Sequence, residues 1–141
     1  MIGISALKQV RTFGRRVASC FVIVASDGPV VGYYTLAAMS VALAELPVVL
    51  SKRLPKYPAI PATLMGRLAI DRRHHGQGLG ELLLFDAFSR TLKSEIASFA
   101  FVVDAKDDQA IAFYERYRFI RLTAAGRRLS LPVAEIAALF A

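Results

Sequence analysis

The apolar positions of this chain fall into short blocks separated by turn residues, and the spacing within each block predicts an element. Val17 to Ala25 and Val30 to Met39 are dense in β-branched and aromatic residues on either side of Asp27-Gly28-Pro29, which predicts an antiparallel hairpin. Val41 to Leu54 predicts a short helix, after which Pro55, Pro58 and Pro61, with Pro47 before them, predict an irregular segment. Thr63 to Ile70 reads as a strand. A helix from about Glu81 to Glu95 follows, because Leu84, Phe88 and Leu92 recur at four-residue spacing and make one apolar stripe. Phe99 to Asp104 is an apolar run of the kind buried on both faces, so strand, helix and strand make a parallel crossover. Asp107 or Asp108 caps a second helix through about Tyr117. Phe119 to Arg121 and Arg128 to Leu131 close a final hairpin, and a helical turn or two starts at Val133. Before all of these, Lys8, Arg11 and Arg15 share a face of a short basic helix from Ser5 to about Arg16, with Gly14 as its terminator. The predicted fold is α/β, a mixed sheet covered by helices.

Composition narrows the class. The 141 residues, 55% of them hydrophobic and without low-complexity tracts, suit a single domain spanning residues 1–141 that buries its own core. One cysteine, Cys20, closes no intrachain disulfide, and with only two histidines no metal site is expected. The apolar run after Arg15-Arg16 is too short to span a bilayer and leads into a turn and a second apolar run, so neither a membrane segment nor an export signal is expected, and the cytoplasm is the expected location. The formal net charge of +7 is either a solvated basic surface or a mark of a polyanionic partner.

The most informative residues are Arg72-Arg73-His74-His75-Gly76-Gln77-Gly78-Leu79-Gly80, between a predicted strand and a predicted helix. At that position backbone N–H groups point outward and the helix dipole favours an anion, while Gly76, Gly78 and Gly80 let the backbone approach a pyrophosphate. A G-x-G-x-G run alone also occurs in tight turns. The run satisfies neither the dinucleotide fingerprint, which needs G-x-G-x-x-G, nor the nucleotide P-loop, which needs Lys-Ser/Thr.

On these residues the chain resembles the GNAT superfamily of N-acetyltransferases. Their phosphate motif is R/Q-x-x-G-x-G/A, and His75 stands where arginine or glutamine is usual. The resemblance continues through Leu64 to Asp71 and through Ala112-Phe113-Tyr114-Glu115-Arg116-Tyr117-Arg118-Phe119. It implies two splayed central parallel strands and acetyl-CoA as co-substrate. Its pyrophosphate would lie on His75, Gly76, Gln77, Gly78, Leu79 and Gly80, and its pantetheine on the backbone of Leu68, Ala69 and Ile70. Tyr114 matches the tyrosine that in many members protonates the departing thiolate, and a phenol near pKa ~10 can do so; a core aromatic is the plainer reading of the same residue. No base is evident: His74 and His75 sit beside the loop, and Glu45 is a candidate whose plainer reading is an ordinary surface or helix role. An α-amine near pKa ~8 is substantially neutral at physiological pH, whereas lysine near ~10.4 is not, so the acceptor leans toward an α-amine.

From Val30 to Phe119 the chain is most similar to the GNAT toxins of bacterial toxin–antitoxin pairs, which acetylate the α-amino group of the amino acid on charged tRNA. That likeness implies aminoacyl-tRNA as acceptor, with Lys52, Arg53, Lys56, Arg72 and Arg73 contacting it, and a ribbon-helix-helix antitoxin as partner. An acetyltransferase for a small amine or protein amino group, and an inactive acetyl-CoA-binding module, are the other readings. The first strand and helix of such toxins are expected to be lacking here. With them gone, the apolar segment Ala18 to Ala25 would be an open sheet edge, and a homodimer is expected.

Overall fold

A computed structural model describes residues 4–10, 17–26, 28–52, 54 and 58–139, the first of these segments by its backbone alone. The elements in order are β1 (Ile4–Val10), β2 (Ser19–Ala25), β3 (Val30–Ala42), α1 (Val48–Ser51), β4 (Ala59–Ile70), α2 (Leu79–Lys93), β5 (Ala100–Asp104), α3 (Asp108–Glu115), β6 (Ile120–Arg121), β7 (Arg128–Pro132) and α4 (Val133–Leu139). The strands hydrogen-bond in one sheet in the order β1-β2-β3-β4-β5-β7-β6, and with the helices between them the chain is α/β as expected. By contacts the chain forms two compact units, Met1–Ala37 with Met65–Lys93, and Ala38–Leu64 with Ser94–Ala141.

In the first unit, β2 and β3 form the predicted hairpin, with Phe21 opposite Tyr34 and Val22 opposite Tyr33. Gly28 makes the turn at φ 110°, a value that side-chain-bearing residues rarely adopt. The N-terminal segment departs from expectation. Ile4–Val10 is a strand, paired antiparallel to β2 from Ile4 opposite Ala25 to Val10 opposite Cys20, with one irregularity in register. The spacing of Lys8, Arg11 and Arg15 imitates a helix face, but the free backbone edge of β2 supplies a ladder of partners that local spacing does not reveal. The expected open edge at Ala18 to Ala25 is therefore covered, and with it goes the premise on which a dimer was expected. The rest of the proposed basic helix, Arg11 to Arg16, lies outside the described residues.

The α2 stripe is broader than four-residue spacing suggests. Leu79, Leu83, Leu84, Ala87, Phe88 and Thr91 are all buried, and the Thr91 hydroxyl donates to the Ala87 carbonyl at 2.8 Å. Helix and strands are tied by one polar group. Tyr34, fully buried, donates its hydroxyl to the Asp86 carboxylate. Arg90 Nε donates to the same carboxylate at 2.8 Å, and the Arg90 guanidinium carbon lies 4.1 Å from the centre of the Phe21 ring, which itself stacks on Tyr34. Burial, reinforced by the Asp86 carboxylate, pushes the Tyr34 phenol well above its ordinary range, so it serves as a permanent donor.

Gly32 marks the tightest approach in this unit. A Cβ there would lie 2.7 Å from Ile70 Cδ1, 3.0 Å from the Ala69 carbonyl oxygen and 3.3 Å from Leu83 Cδ1. The end of Ile70 can swing aside, but the Ala69 carbonyl belongs to β4 and cannot. Gly32→Ala is expected to cost about 1–3 kcal/mol through overpacking and to displace the end of β4. Chemical denaturation checks it, and an unchanged midpoint would show that the strands part freely.

In the second unit, Val41, Leu46, Ile60, Ala62, Ala100 and Val102 form a buried cluster, with Met39, Leu43, Leu64 and Phe99 packed against it. β4 begins at Ala59, four residues before the predicted start, and runs through Pro61. Proline lacks only the donor, and the Pro61 carbonyl accepts from Phe99 N–H at 2.9 Å, so the strand continues on its acceptor side. β5 and β7 pair antiparallel from Ala100 opposite Pro132 to Asp104 opposite Arg128, and β6 adds to β7 as the predicted hairpin. Asp107 is the cap of α3, its carboxylate accepting from Ala110 N–H at 2.8 Å.

Candidate functional site

The loop from β4 to α2 is built from its own backbone. Asp71 N–H donates to the Val31 carbonyl at 2.8 Å, which holds the end of β4 against β3. The chain then makes one 3-10 turn, Arg72–His74, capped by the Asp71 carboxylate, which accepts from Arg73 N–H at 2.9 Å. Gly76 and Gly78 follow at φ 79° and 75°. A Cβ at either would meet nothing within 4 Å, so it is the left-handed backbone and not crowding that calls for glycine. The first helical bond of α2 runs from Leu82 N–H to the Gly78 carbonyl at 3.1 Å. The amides of Leu79 and Gly80 thus belong to the opening turn, where neither donates to a carbonyl among the described residues and the dipole is positive. This is a short, open, amide-lined helix start, suited to a diphosphate.

Two predicted contact residues are already engaged. His75 Nε2 lies 2.9 Å from the Ile70 carbonyl, a hydrogen bond in which a protonated Nε2 donates to the oxygen. Histidine thereby meets the carbonyl of Ile70, one of the three residues, Leu68, Ala69 and Ile70, whose backbone is expected to pair with pantetheine, and that oxygen keeps a second lone pair. Arg73 folds back onto Asp71, with Nη2 3.2 Å and Nε 3.3 Å from its carboxylate oxygens. The Arg73 hydrogen bonds hold the Asp71 carboxyl down at about 2. Arg73 is therefore a paired charge, whereas Arg72 is exposed and has no ion pair among the described residues.

The other predicted residues lie in the second unit. Lys52 is the exposed C-cap of α1; Arg53 and Lys56 lie outside the described residues. Tyr114 is 5% exposed on α3, its ring 5.2 Å from Phe113 and 5.4 Å from Phe119. Its hydroxyl has no hydrogen-bond partner among the described residues. Burial pushes the phenol well above its ordinary range, so Tyr114 carries its proton at every physiological pH, the state a general acid requires.

Residues 62–132, half of the chain, match the family described as acetyltransferase (GNAT) domain. This chain belongs to the GNAT acetyltransferases. It is 42% identical over 102 residues to a tRNA-acetylating toxin of Mycobacterium tuberculosis, a match that covers 71% of this chain and 60% of that toxin's length. Among solved structures, AtaT complexed with acetyl-methionyl-tRNAfMet superposes with a TM-score of 0.78 at 30% identity, over 89% of this chain and 77% of that one. A mutant AtaT toxin bound to the C-terminus of the antitoxin AtaR and acetyl-CoA superposes with a TM-score of 0.68 at 27% identity, over 89% and 73%. The mixed α/β sheet with flanking helices is the fold of these GNAT toxins.

Residues that sequence reasoning passed over are as much part of this GNAT loop as those it named. Gly32 gives β4 its close neighbour, and Tyr34, Asp86 and Arg90 fix the helix whose first turn offers the amides. A glycine inside a strand pattern, at Val31-Gly32-Tyr33, was the available signal for the first. For Tyr34 and Asp86, 52 residues apart, there was none.

Proposed function

We infer that this chain is an acetyl-CoA-dependent N-acetyltransferase, acting as one domain over residues 1–141, and that its acceptor is the α-amino group of the amino acid on charged tRNA. The observation that carries it is the amide-lined start of α2, with Gly76 and Gly78 left-handed and the space beside them open. The acceptor class rests on the likeness to a tRNA-acetylating toxin and to AtaT with its acetylated tRNA. The net charge of +7 agrees with a polyanionic acceptor.

In this reading His75, Gly76, Gln77, Gly78, Leu79 and Gly80 hold the pyrophosphate, and Leu68, Ala69 and Ile70 pair with the pantetheine. The neutral amine attacks the thioester carbonyl carbon, the carbon–sulfur bond breaks, and Tyr114 gives its proton to the leaving thiolate. The amine's surplus proton passes to water, which returns one to the Tyr114 phenolate, so no residue need act as base for an amine near pKa ~8. A toxin of this kind has an antitoxin, here proposed to be of the ribbon-helix-helix class, and works in the cytoplasm. Among the described residues no helix is long and apolar enough to cross a membrane. A homodimer would have to pair elsewhere than along β2, which β1 covers.

The deciding experiment is incubation with labelled acetyl-CoA and total charged tRNA, beside a panel of free amines. Label on tRNA is the expected result, and label only on free amines or protein N-termini replaces the acceptor. Binding of charged tRNA is further expected to weaken steeply with salt, with a log-log slope of roughly −0.7 to −0.9 per phosphate contact. Replacing Lys52, Arg53 and Lys56 by Ala is expected to flatten that slope and leave acetyl-CoA affinity nearly unchanged. A slope equal to that of the parent protein would show that the tRNA lies elsewhere.

A further inference from the structure

The turn after α3 places an arginine where backbone geometry favours glycine. Arg118 has φ 72°, the only positive value outside glycine among the described residues. It closes the helix by donating its N–H to the Glu115 carbonyl at 3.1 Å, while Phe119 N–H approaches the Tyr114 carbonyl at 3.4 Å. Glycine or asparagine is the common choice at such a left-handed helix end, so an arginine there points to a use for its side chain.

Beside it stands a cluster of planar groups. The Arg116 guanidinium lies 5.5 Å from the centre of the Phe113 ring and 6.0 Å from that of Tyr117, and those two rings meet at 5.2 Å. Arg116 and Arg118 are exposed, Phe113 and Tyr117 half-buried. From Glu115 to Arg128 the chain carries five arginines and one acid. Three of the five are paired, Arg121 with Glu115, Arg127 with Asp108 and Arg128 with Asp104. Arg116 and Arg118 form no ion pair among the described residues, so their charge remains for a ligand.

We propose that Phe113, Arg116, Tyr117 and Arg118 form a docking surface for the unpaired 3′ end of a tRNA. The proposal rests on the aminoacyl-tRNA reading and deepens it. Aromatic faces and a planar guanidinium recognise bases that are not already stacked in a duplex, and the adjoining cation takes the phosphate between them. A free anion would need Arg118 but not the rings, and a duplex would need the charge but could not reach the rings with its bases. Position favours the 3′ end as well. Phe113 touches the Tyr114 ring, so a nucleotide stacked on this cluster would be one ring away from the proposed proton donor. The reacting amine is carried at that same end of the tRNA.

The test is binding of uncharged tRNA, intact or lacking its unpaired 3′ nucleotides, and of a short RNA of the same 3′ sequence. The parent protein is expected to prefer intact tRNA about tenfold, the worth of one stacked base and its phosphate. Combining Arg116→Ala with Arg118→Gly is expected to abolish that preference, lower the salt slope by roughly 1–2, and weaken the short RNA about tenfold. The melting temperature is not expected to fall, because glycine relieves the left-handed backbone, and acetyl-CoA affinity is expected to stay unchanged. A double variant that keeps the parent's preference for intact tRNA overturns the proposal. If the short RNA binds in a variant-sensitive way but charged tRNA is never acetylated, the surface stands and the acceptor reading fails. If neither RNA binds at low salt, both fail.

Discussion

Tyr114→Phe is expected to lower the rate of acetyl transfer by roughly 100-fold to 10,000-fold, the range of general acid catalysis, while acetyl-CoA binds nearly as before. The ring keeps its contacts with Phe113 and Phe119, and the lost hydroxyl has no partner among the described residues, so stability should change by less than about 1 kcal/mol. Single-turnover kinetics with charged tRNA, where chemistry and not product release sets the rate, is the measurement. The pH profile adds a second reading. Burial raises the folded-state pKa of Tyr114 above its unfolded value near ~10. Below that value the group's contribution to stability is fully present, and it is lost as pH climbs toward the folded value. Between pH 7 and 10 the donor stays protonated, so ionisation of Tyr114 should produce no fall in rate across that range. Full turnover by the phenylalanine variant would make Tyr114 a core aromatic and nothing more.

Gly78→Asp is expected to abolish acetyl-CoA binding, with an affinity loss of at least ~100-fold. A carboxylate introduced about 4 Å from a phosphate charge costs on the order of 4 kcal/mol at an effective dielectric near 20, more than such a loss requires. Aspartate tolerates the left-handed region better than most residues, so the folded state should survive at φ 75°. Gly80→Asp, in the opening turn of α2, should act the same way without touching a left-handed position. Gly78→Ala separates charge from geometry. It adds no charge and meets nothing within 4 Å, so it should lose about 1–2 kcal/mol of stability and retain ligand binding. Calorimetry and the rise in melting temperature with acetyl-CoA measure both effects, since a ligand selective for the folded state stabilises it. Undiminished binding by both aspartate variants would move the pyrophosphate off this loop.

Much of the architecture was legible because it is written in local terms. The Val17–Ala25 and Val30–Met39 hairpin, the α2 stripe through Leu84 and Phe88, the buried Phe101–Val103 run and the Asp107 cap follow from periodicity, β-branching and turn chemistry, each decided within a few residues. The glycine loop was legible for the same reason, since left-handed turns at Gly76 and Gly78 exclude most other residues. Family membership followed from those motifs taken in order.

The tertiary structure decided what depends on partners distant along the chain. Lys8 and its neighbours are spaced like a helix face, yet Ile4–Val10 is a strand, because β2 presents unpaired backbone groups that only another strand can satisfy along their whole length. Pro61 looks like a breaker, but β4 needs only its carbonyl. Arg73 and His75, both read as ligand contacts, are drawn to the Asp71 carboxylate and the Ile70 carbonyl, while Arg72 beside the loop has no ion pair among the described residues. Tyr34 meets Asp86 across 52 residues. In each case sequence determined which groups could bond, and only the folded chain determined which of them a neighbour had already taken.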